Sequence, residues 1–165
     1  MASGALPLEV YHRASSVGSG TFGSVLTVYN DAGEEFALKL FAKEDENEPI
    51  DLGALREISC LRLLREENRH PNIISLVDVQ ASTILDDDEV AGAGTDASIG
   101  MALPLFPAGS LAAALTEKRM EGLPRRAKVM FVHGLLSAVA FLHDNGILHR
   151  DIKSDNVLLE IDDNG

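Results

Sequence analysis

A polar segment near the end of the sequence carries its most specific chemical pattern. It reads His149-Arg-Asp-Ile-Lys-Ser-Asp-Asn156, so that Asp151 and Asn156 are five positions apart with Lys153 between them. A carboxylate on a loop can orient an incoming hydroxyl group and accept its proton. A side-chain amide oxygen can bind a metal ion that neutralises a transferring phosphoryl group, and the lysine adds positive charge beside it. Any one of these residues is compatible with an ordinary surface turn, but such a turn does not explain their order and spacing taken together with two motifs upstream.

A glycine-rich segment lies close to the start of the chain. Val17-Gly-Ser-Gly-Thr-Phe-Gly-Ser-Val25 has glycines at 18, 20 and 23, and glycines allow backbone N–H groups to approach phosphate oxygens without interference from a Cβ atom. A plain glycine-rich turn is one alternative. A dinucleotide-binding crossover is another, with Glu44 as its acidic residue 21 positions after Gly23, but that arrangement requires a helix to begin at the third glycine. The β-branched residues and the turn that follow Gly23 instead predict strand, loop and strand.

A lysine follows the glycine-rich segment on the next predicted strand. Lys39 ends the sequence Ala37-Leu-Lys39 and lies 16 positions after Gly23. Such a lysine is usually a surface charge, but it can also reach inward and offset the charge of a triphosphate. A carboxylate is then needed to hold it, and Glu57, 18 positions later on a predicted helix, is the candidate. The alternative for Glu57 is an exposed salt bridge with its neighbours, which contributes little.

The elements that position these motifs follow from the hydrophobic pattern. Strand-forming and turn-forming residues dominate the first third of the chain, and helical periodicity dominates from Pro107 onward. Strands are predicted at residues 25–29, 35–41, 73–79, 98–105 and 157–161, and helices at residues 52–67, 110–118 and 125–145. Strands first and helices later indicate an α+β chain with two lobes.

Two of the predicted helices have an apolar face, and two predicted connections have a distinctive composition. The apolar positions are Leu55, Ile58, Leu61 and Leu64 in the first helix and Phe131, Leu135, Val139 and Leu142 in the last. Ser110 is a suitable N-cap for the short helix between them. The acidic stretch within residues 80–95 is interpreted as a solvated loop rather than a metal site. Residues 162–165 end in Asn-Gly, which is typical of a hairpin turn and predicts a returning strand.

Composition disfavours several classes of protein. The formal net charge is −12 and the pI is about 4.7, so we expect no binding to nucleic acid or to an anionic membrane surface. The longest mainly apolar stretch, Met130–Leu142, contains polar residues and is too short to span a bilayer. The single cysteine, Cys60, cannot form an internal disulfide and is expected to fill space in the core. These features predict a protein of the cytoplasm, the nucleus or both.

The glycine-rich segment, the strand lysine, the helix glutamate and the His-Arg-Asp loop together resemble the signature motifs of the eukaryotic protein kinases. The resemblance runs from about Tyr11 to the last residue. It implies a bilobal fold, with ATP and Mg²⁺ as cofactors, a protein substrate, and room for a regulatory subunit. The implied parts are an N-terminal extension at 1–10, an N-lobe with an antiparallel five-stranded sheet and one main helix at 11–103, a hinge at 104–106, and an incomplete helical C-lobe at 107–165.

The resemblance also implies a role for each matching residue. Asp151 would be the catalytic base, Lys153 would contact the γ-phosphate, and Asn156 would bind Mg²⁺. Lys39, paired with Glu57, would hold the phosphates of ATP. The remaining nucleotide contacts would come from the glycine-rich segment, the residues around adenine, the gatekeeper and the hinge. Val17, Val25, Ala37 and Leu158 would surround adenine, and Leu103 would be the gatekeeper. The full set is Val17, Gly18, Ser19, Gly20, Thr21, Phe22, Gly23, Ser24, Val25, Ala37, Leu103, Pro104, Leu105, Phe106 and Leu158.

The subclass is indicated by a few residues around these motifs. Lys153 resembles the lysine that serine/threonine kinases have in this loop. Ala54–Ile58 and His70–Ile74 resemble the cyclin-dependent kinases, whereas Ser154 and Asp155 resemble the branch of the p21-activated kinases. The sequence therefore predicts a serine/threonine kinase with mixed features of two groups.

The sequence departs from the family pattern in two respects. Pro104 stands in the hinge where the family commonly has glutamate, and no Asp-Phe-Gly motif or activation segment follows Asn156. Because the aspartate of that motif is a magnesium ligand in the family, we expect the isolated chain to be an inactive fragment whose long helix exposes apolar surface. The alternative is a pseudokinase or truncated regulator that binds ATP without chemistry, although such proteins usually lose one of Lys39, Glu57, Asp151 and Asn156.

Overall fold

The computed structural model describes residues 11–20, 23–41, 52–66, 69–81 and 99–160. They belong to two compact units, one within residues 1–67 and 75–105 and the other within residues 68–74 and 106–165. The chain passes from the first unit to the second for the last time between Leu105 and Phe106, inside the segment predicted as the hinge. Two predicted features lie outside the described residues, namely the acidic loop from residue 82 onward and the hairpin turn at 162–165.

The first unit is built around a five-stranded antiparallel sheet. Its strands are β1 (His12–Gly20), β2 (Gly23–Tyr29), β3 (Glu35–Leu40), β4 (Asp78–Ala81) and β5 (Ile99–Pro104). They lie in the order β1, β2, β3, β5, β4, so that β5 is inserted between β3 and β4. This arrangement confirms the predicted α+β class and the predicted antiparallel sheet.

The hairpin between β2 and β3 closes through Asn30 and Gly33. The buried Asn30 side chain accepts hydrogen bonds from the backbone N–H groups of Ala32 and Glu34 at 3.1 and 2.9 Å, and its amide donates to Glu34 Oε2 at 2.9 Å. Gly33 has a φ of +80°, a left-handed conformation that glycine adopts without the steric penalty of a Cβ atom. Asn30 is therefore the side chain that organises the predicted turn.

Side-chain alternation gives the sheet two covered faces. Leu38 of β3 lies opposite Leu26 of β2 and Ala102 of β5, and residues opposite one another point to the same side. The buried cluster on this side consists of Tyr11, Leu26, Val28, Leu38 and Ala102. The other side carries a second cluster that includes helix α1 (Leu52–Glu66), and its buried members are Phe41, Ala54, Ile58, Leu76 and Met101. Helix α1 is thus seated on the face of the sheet that carries Met101.

Helix α1 buries a face that differs by one residue from the predicted one. Ile58 and Leu64 are buried as predicted, but Leu55 is 38% exposed and Ala54, which is 1% exposed, takes its place. Alanine allows the start of α1 to approach the sheet closely. Cys60, expected in the core, is exposed, because two residues along a helix rotate a side chain by about 200° away from the buried Ile58.

The second unit contains α2 (Leu111–Thr116), α3 (Arg125–Asp144) and a 3₁₀ turn (Ser154–Asn156). Ser110 caps α2 as predicted, because its Oγ accepts a hydrogen bond from the Ala113 N–H at 3.2 Å. Helix α3 is followed by the C-cap Asn145 and by Gly146, whose φ is +71°. The Ile147 and Gly146 N–H groups donate to the carbonyls of Leu142 and His143 at 2.8 and 2.9 Å, which is the Schellman arrangement of a glycine-terminated helix.

The segment before β4 differs from the strand predicted at 73–79. Its backbone turns at His70, whose carbonyl accepts from the Ile73 N–H at 3.1 Å, so regular pairing with β5 begins only at Asp78. His70 Nε2 also lies 3.0 Å from Ser137 Oγ of α3. Residues 68–74 therefore belong to the second unit rather than to the sheet, which an apolar run alone does not reveal.

Helix α3 has an apolar surface that the described residues leave exposed. Val129, Met130, Val132 and Leu136 all have more than half of their surface accessible, whereas Ala138 and Leu142 are buried. The expectation of exposed apolar surface on this helix is confirmed for the described residues. By length and composition alone α3 is also long and apolar enough to cross a membrane, a property that core helices of soluble proteins share. The shorter apolar stretch at 130–142 did not predict this property.

We expect Asn30→Ala to destabilise the first unit by about 1–2 kcal/mol, because two partly buried backbone donors would lose their acceptor. Urea unfolding of residues 1–165 monitored by circular dichroism measures the change. Asn30→Asp is the matched control, since it retains the accepting oxygen and should be less destabilising. Equal stability of Asn30→Ala and the unsubstituted chain would contradict this role of Asn30.

Candidate active site

The glycine-rich segment forms the tip of the hairpin between β1 and β2. Gly18 pairs with Val25, Ser19 with Ser24, and Gly20 with Gly23. Thr21 and Phe22, which follow Gly20 in the sequence, lie outside the described residues. Because a strand rather than a helix begins at Gly23, the predicted order of strand, loop and strand is confirmed and the dinucleotide-binding arrangement is excluded.

Strand register places several predicted nucleotide contacts on one face of the sheet. Val25 lies opposite Lys39, and Ala37 lies opposite Leu103. Ala37 and Lys39 are two residues apart on β3 and therefore point to the same side. The sheet thus brings together on one face four of the residues that the sequence singled out. Val17 also lies on β1 in the same sheet.

Lys39 and Glu57 form the ion pair that the sequence predicts. Lys39 Nζ lies 2.8 Å from both carboxylate oxygens of Glu57, and the two side chains are 23% and 41% exposed. The geometry joins the middle of the sheet to the second turn of α1 through charge-assisted hydrogen bonds. An ammonium fixed in this way presents its charge at a defined place on the sheet face.

The His-Arg-Asp loop of the second unit brings its polar side chains together. Lys153 Nζ lies 2.9 Å from Asp151 Oδ2, and the Asn156 amide donates to the same oxygen at 2.9 Å and to the Asp151 carbonyl at 2.8 Å. The Lys153 ammonium, followed by the Asn156 amide, lowers the pKa of Asp151 below its ordinary value. Asp151 is therefore ionised near neutral pH, and the exposure of about half of its side chain to water also favours the ionised form.

Asn156 is oriented so that its oxygen remains for another partner. Both hydrogen bonds to Asp151 use the amide nitrogen, which leaves Oδ1 as a hard oxygen donor of the kind that Mg²⁺ prefers. In the part of the chain that is described, no group of three or more histidine, cysteine or carboxylate side chains could hold a metal alone. The donor chemistry of Asn156 Oδ1 therefore fits a hard metal ion such as Mg²⁺.

Backbone pairing with the segment before α2 supports the end of this loop. The Leu111 N–H donates to the Val157 carbonyl at 2.7 Å, and the Leu159 N–H donates to the Gly109 carbonyl at 2.9 Å. The strand predicted at 157–161 is in fact a single antiparallel bridge between Ser110 and Leu158 within the described residues. The sequence did not predict this partner, because the residues before α2 do not indicate which distant segment they pair with.

The predicted hinge lies where the two units meet along the chain. Leu103 and Pro104 end β5, and Leu105 and Phe106 follow it, all four partly buried. The Phe106 carbonyl accepts from the Gly109 N–H at 3.0 Å. Proline lacks the backbone donor that other residues offer, so only the carbonyl of Pro104 is available to a ligand.

Comparison with known proteins agrees with this geometry. The family model for the protein kinase domain matches residues 11–164. The chain belongs to the protein kinase family. It is similar to the probable cyclin-dependent kinase 9 of Caenorhabditis elegans, with 32% identity over 156 residues, covering 94% of this chain and 31% of the relative. It is also similar to cyclin-dependent kinase 12 of the same organism, with 32% identity over 156 residues, covering 92% of this chain and 20% of the relative.

The kinase chain therefore spans a third or less of the length of these two relatives. The matched residues include the glycine-rich hairpin and the Lys39–Glu57 pair of the first unit and the His-Arg-Asp loop of the second. The two arrangements are described within separate units.

We expect Lys153→Met to raise the pKa of Asp151 toward its ordinary value, because the ammonium is the largest cause of the depression. Carbon-13 NMR titration of the Asp151 carboxyl carbon measures the shift. Lys153→Arg, which keeps the charge, is the control and should retain a lowered pKa. Since the depressed pKa favours the folded state above the carboxyl's unfolded pKa, that contribution is lost as the pH falls through the folded value. A pKa that is the same in all three chains would contradict the assignment.

Proposed function

We propose that the complete domain to which this chain belongs transfers the γ-phosphoryl group of ATP to serine and threonine hydroxyls of protein substrates. The observation that carries the proposal is the Lys39–Glu57 pair, with Nζ 2.8 Å from both carboxylate oxygens, in a chain that also has the Asp151, Lys153 and Asn156 cluster. Family membership supports the reaction class, and the serine/threonine preference rests on Lys153.

ATP is proposed to bind through the first unit and the hinge. The glycine-rich hairpin would cover the triphosphate with backbone N–H groups, and Lys39 would contact its phosphates. Adenine would lie between Val17, Val25 and Ala37 on one side and Leu158 on the other, beside the gatekeeper Leu103. Backbone groups of the hinge at 104–106 would bind the adenine edge.

Transfer is proposed to take place at the loop of the second unit. Asp151 would orient the substrate hydroxyl and receive its proton, while the hydroxyl oxygen bonds to the γ-phosphorus and the bond to the bridging oxygen of ADP breaks. Lys153 would offset negative charge on the phosphoryl group, and Asn156 Oδ1 would bind Mg²⁺, which neutralises phosphate charge when bound. Both hydrogen-bonding contacts of the Asp151 carboxylate fall on Oδ2, so Oδ1 is suited to meet the hydroxyl.

A regulatory subunit is proposed to dock on the outer side of α1. Two similar proteins are named cyclin-dependent kinases, and α1 exposes the apolar side chains of Leu52, Leu55 and Leu63. A partner of the cyclin class that covers these leucines would also fix α1, and with it Glu57. The names of these two relatives are the basis for proposing a partner of the cyclin class.

We expect Lys39→Met and Asp151→Asn to separate binding from chemistry. Lys39→Met should weaken ATP·Mg²⁺ binding by about tenfold or more, because it removes a charged hydrogen bond to phosphate. Asp151→Asn should leave that affinity within about threefold but lower phosphate transfer in the complete domain by roughly 10²–10⁴, the usual contribution of a positioned base. Isothermal titration calorimetry and transfer of labelled phosphate to myelin basic protein measure the two effects.

Lys128→Met is the matched control, since this exposed lysine of α3 lies outside the candidate site. ATP binding by residues 1–165 with no transfer by any form of the domain would favour the alternative of an ATP-binding pseudokinase. Binding of NAD without ATP would overturn the nucleotide assignment.

We expect the complete domain to prefer serine or threonine over tyrosine as the acceptor. Three synthetic peptides that differ only in this residue give a direct comparison of kcat/KM. A ratio of at least about tenfold in favour of the aliphatic hydroxyls is expected, which corresponds to about 1.4 kcal/mol of transition-state discrimination. Equal or better use of the tyrosine peptide would contradict the serine/threonine assignment while leaving the kinase assignment intact.

A further inference from the structure

The ammonium group of Lys39 has a second neighbour besides Glu57. Its Nζ lies over the ring of Phe41, 5.0 Å from the ring centroid, inside the distance of about 6 Å at which an aromatic face attracts a cation. Strand alternation explains the contact, because residues two apart point to the same face. Antiparallel pairing continues past the end of β3 through the hydrogen bond from the Phe41 N–H to the Ile99 carbonyl at 3.1 Å.

Phe41 also belongs to the buried cluster on which helix α1 packs. It is 5% exposed and belongs to the buried cluster that contains Ala54 and Ile58 of the helix and Met101 of β5. Ala54 lies about one helical turn before Glu57, and Ile58 follows Glu57 directly. The part of α1 that presents the glutamate therefore packs in the same cluster as the ring. One side chain links the position of the helix to that of the lysine.

We propose that Phe41 is a positioning residue for Lys39, and that the face of its ring holds the ammonium group beside Glu57 in the orientation that receives a phosphate. The use of this orientation for ATP rests on the function proposed above. The ring attracts the positive charge without taking up a conventional hydrogen bond. Lysine has three N–H donors; Glu57 offers two oxygens to Nζ, each at 2.8 Å, so one donor can serve a phosphate oxygen.

A purely structural role for Phe41 is the competing explanation, because another large apolar side chain would also fill the cluster. The two roles differ in what they require of the ring electrons. Fluorination progressively weakens and then reverses the negative charge on the ring face, while shape and apolar character change little. A packing role is insensitive to this series, whereas a positioning role follows it.

The first test places difluorophenylalanine and pentafluorophenylalanine at position 41 of residues 1–165 and measures the Kd of ATP·Mg²⁺ by calorimetry. We expect the Kd to rise along the series, by about twofold to fivefold at the pentafluoro ring, and Phe41→Tyr to bind like the unsubstituted chain. Pentafluorophenylalanine at position 36 is the control, since the Phe36 ring of the same strand meets Tyr11 edge-on, and it should leave the Kd unchanged. A constant Kd across the series at position 41 would overturn the proposal.

The second test does not depend on nucleotide. The folding equilibrium constant from urea unfolding is measured for the phenylalanine and pentafluorophenylalanine chains, each with Lys39 and with Lys39→Met, as a double-mutant cycle. We expect fluorination to lower the constant about twofold to fivefold when the lysine is present and to have no such effect in Lys39→Met. Equal losses in both backgrounds would refute the ring–ammonium contact. If the unsubstituted chain fails to bind ATP, the proposed function fails while this cycle still decides the role of Phe41.

Discussion

The ion pair between Lys39 and Glu57 is the constraint around which the first unit is arranged. It joins the central strand β3 to α1, with 2.8 Å between Nζ and each carboxylate oxygen, and it forms only when the helix lies on the face of the sheet that carries the lysine. The apolar contacts of α1 in the buried cluster that contains Met101 hold the helix on that face. Because both side chains remain partly exposed, the pair adds little stability by itself. Its contribution is geometric, since it holds one positive charge at one place.

The His-Arg-Asp loop of the second unit is held by backbone contacts rather than by the packing of a helix on a sheet. The chain between His149 and Asp151 turns through Arg150, whose φ of +64° is unusual for a residue with a side chain. Pairing of Gly109 and Leu111 with residues 157–159 then fixes the chain on the other side of the polar cluster. Strained backbone of this kind persists only where the surroundings hold it in place. The segment before α2 is therefore part of the support of the loop, although it provides none of the loop's polar groups.

The sequence predicted local chemistry better than it predicted partners. The hairpin at the glycines and the cap at Ser110 depend on residue type and short spacing, the pairing of Lys39 with Glu57 follows a recognisable motif across 18 positions, and each is present in the structure. The errors at 73–79 and 157–161 have a different cause: apolar runs show that a segment is buried or extended, but not which backbone it pairs with. Ala54 in place of Leu55 is a third case, because periodicity gives a helix face and close approach to the sheet then selects the smaller side chain. The contact of Phe41 with Lys39 follows from strand alternation, yet an aromatic residue two positions from a lysine is too common a pattern to be informative without the structure.

The low pKa of Asp151 limits the part that this carboxylate can play in the proposed transfer. An aspartate is a weak base even at its ordinary pKa, and the contacts from Lys153 and Asn156 lower the pKa of Asp151 further, so it is poorly suited to remove a proton from a hydroxyl group before bond formation begins. In the loose transition state favoured for phosphoryl transfer, the attacking oxygen becomes acidic only as its bond to phosphorus forms. A weak base that is already ionised is adequate for such a late proton transfer, and before that it accepts a hydrogen bond and directs the hydroxyl oxygen. Anchoring of Oδ2 by Lys153 and Asn156 fixes the direction of Oδ1, and Asp151 is therefore expected to orient the hydroxyl group first and to receive its proton late.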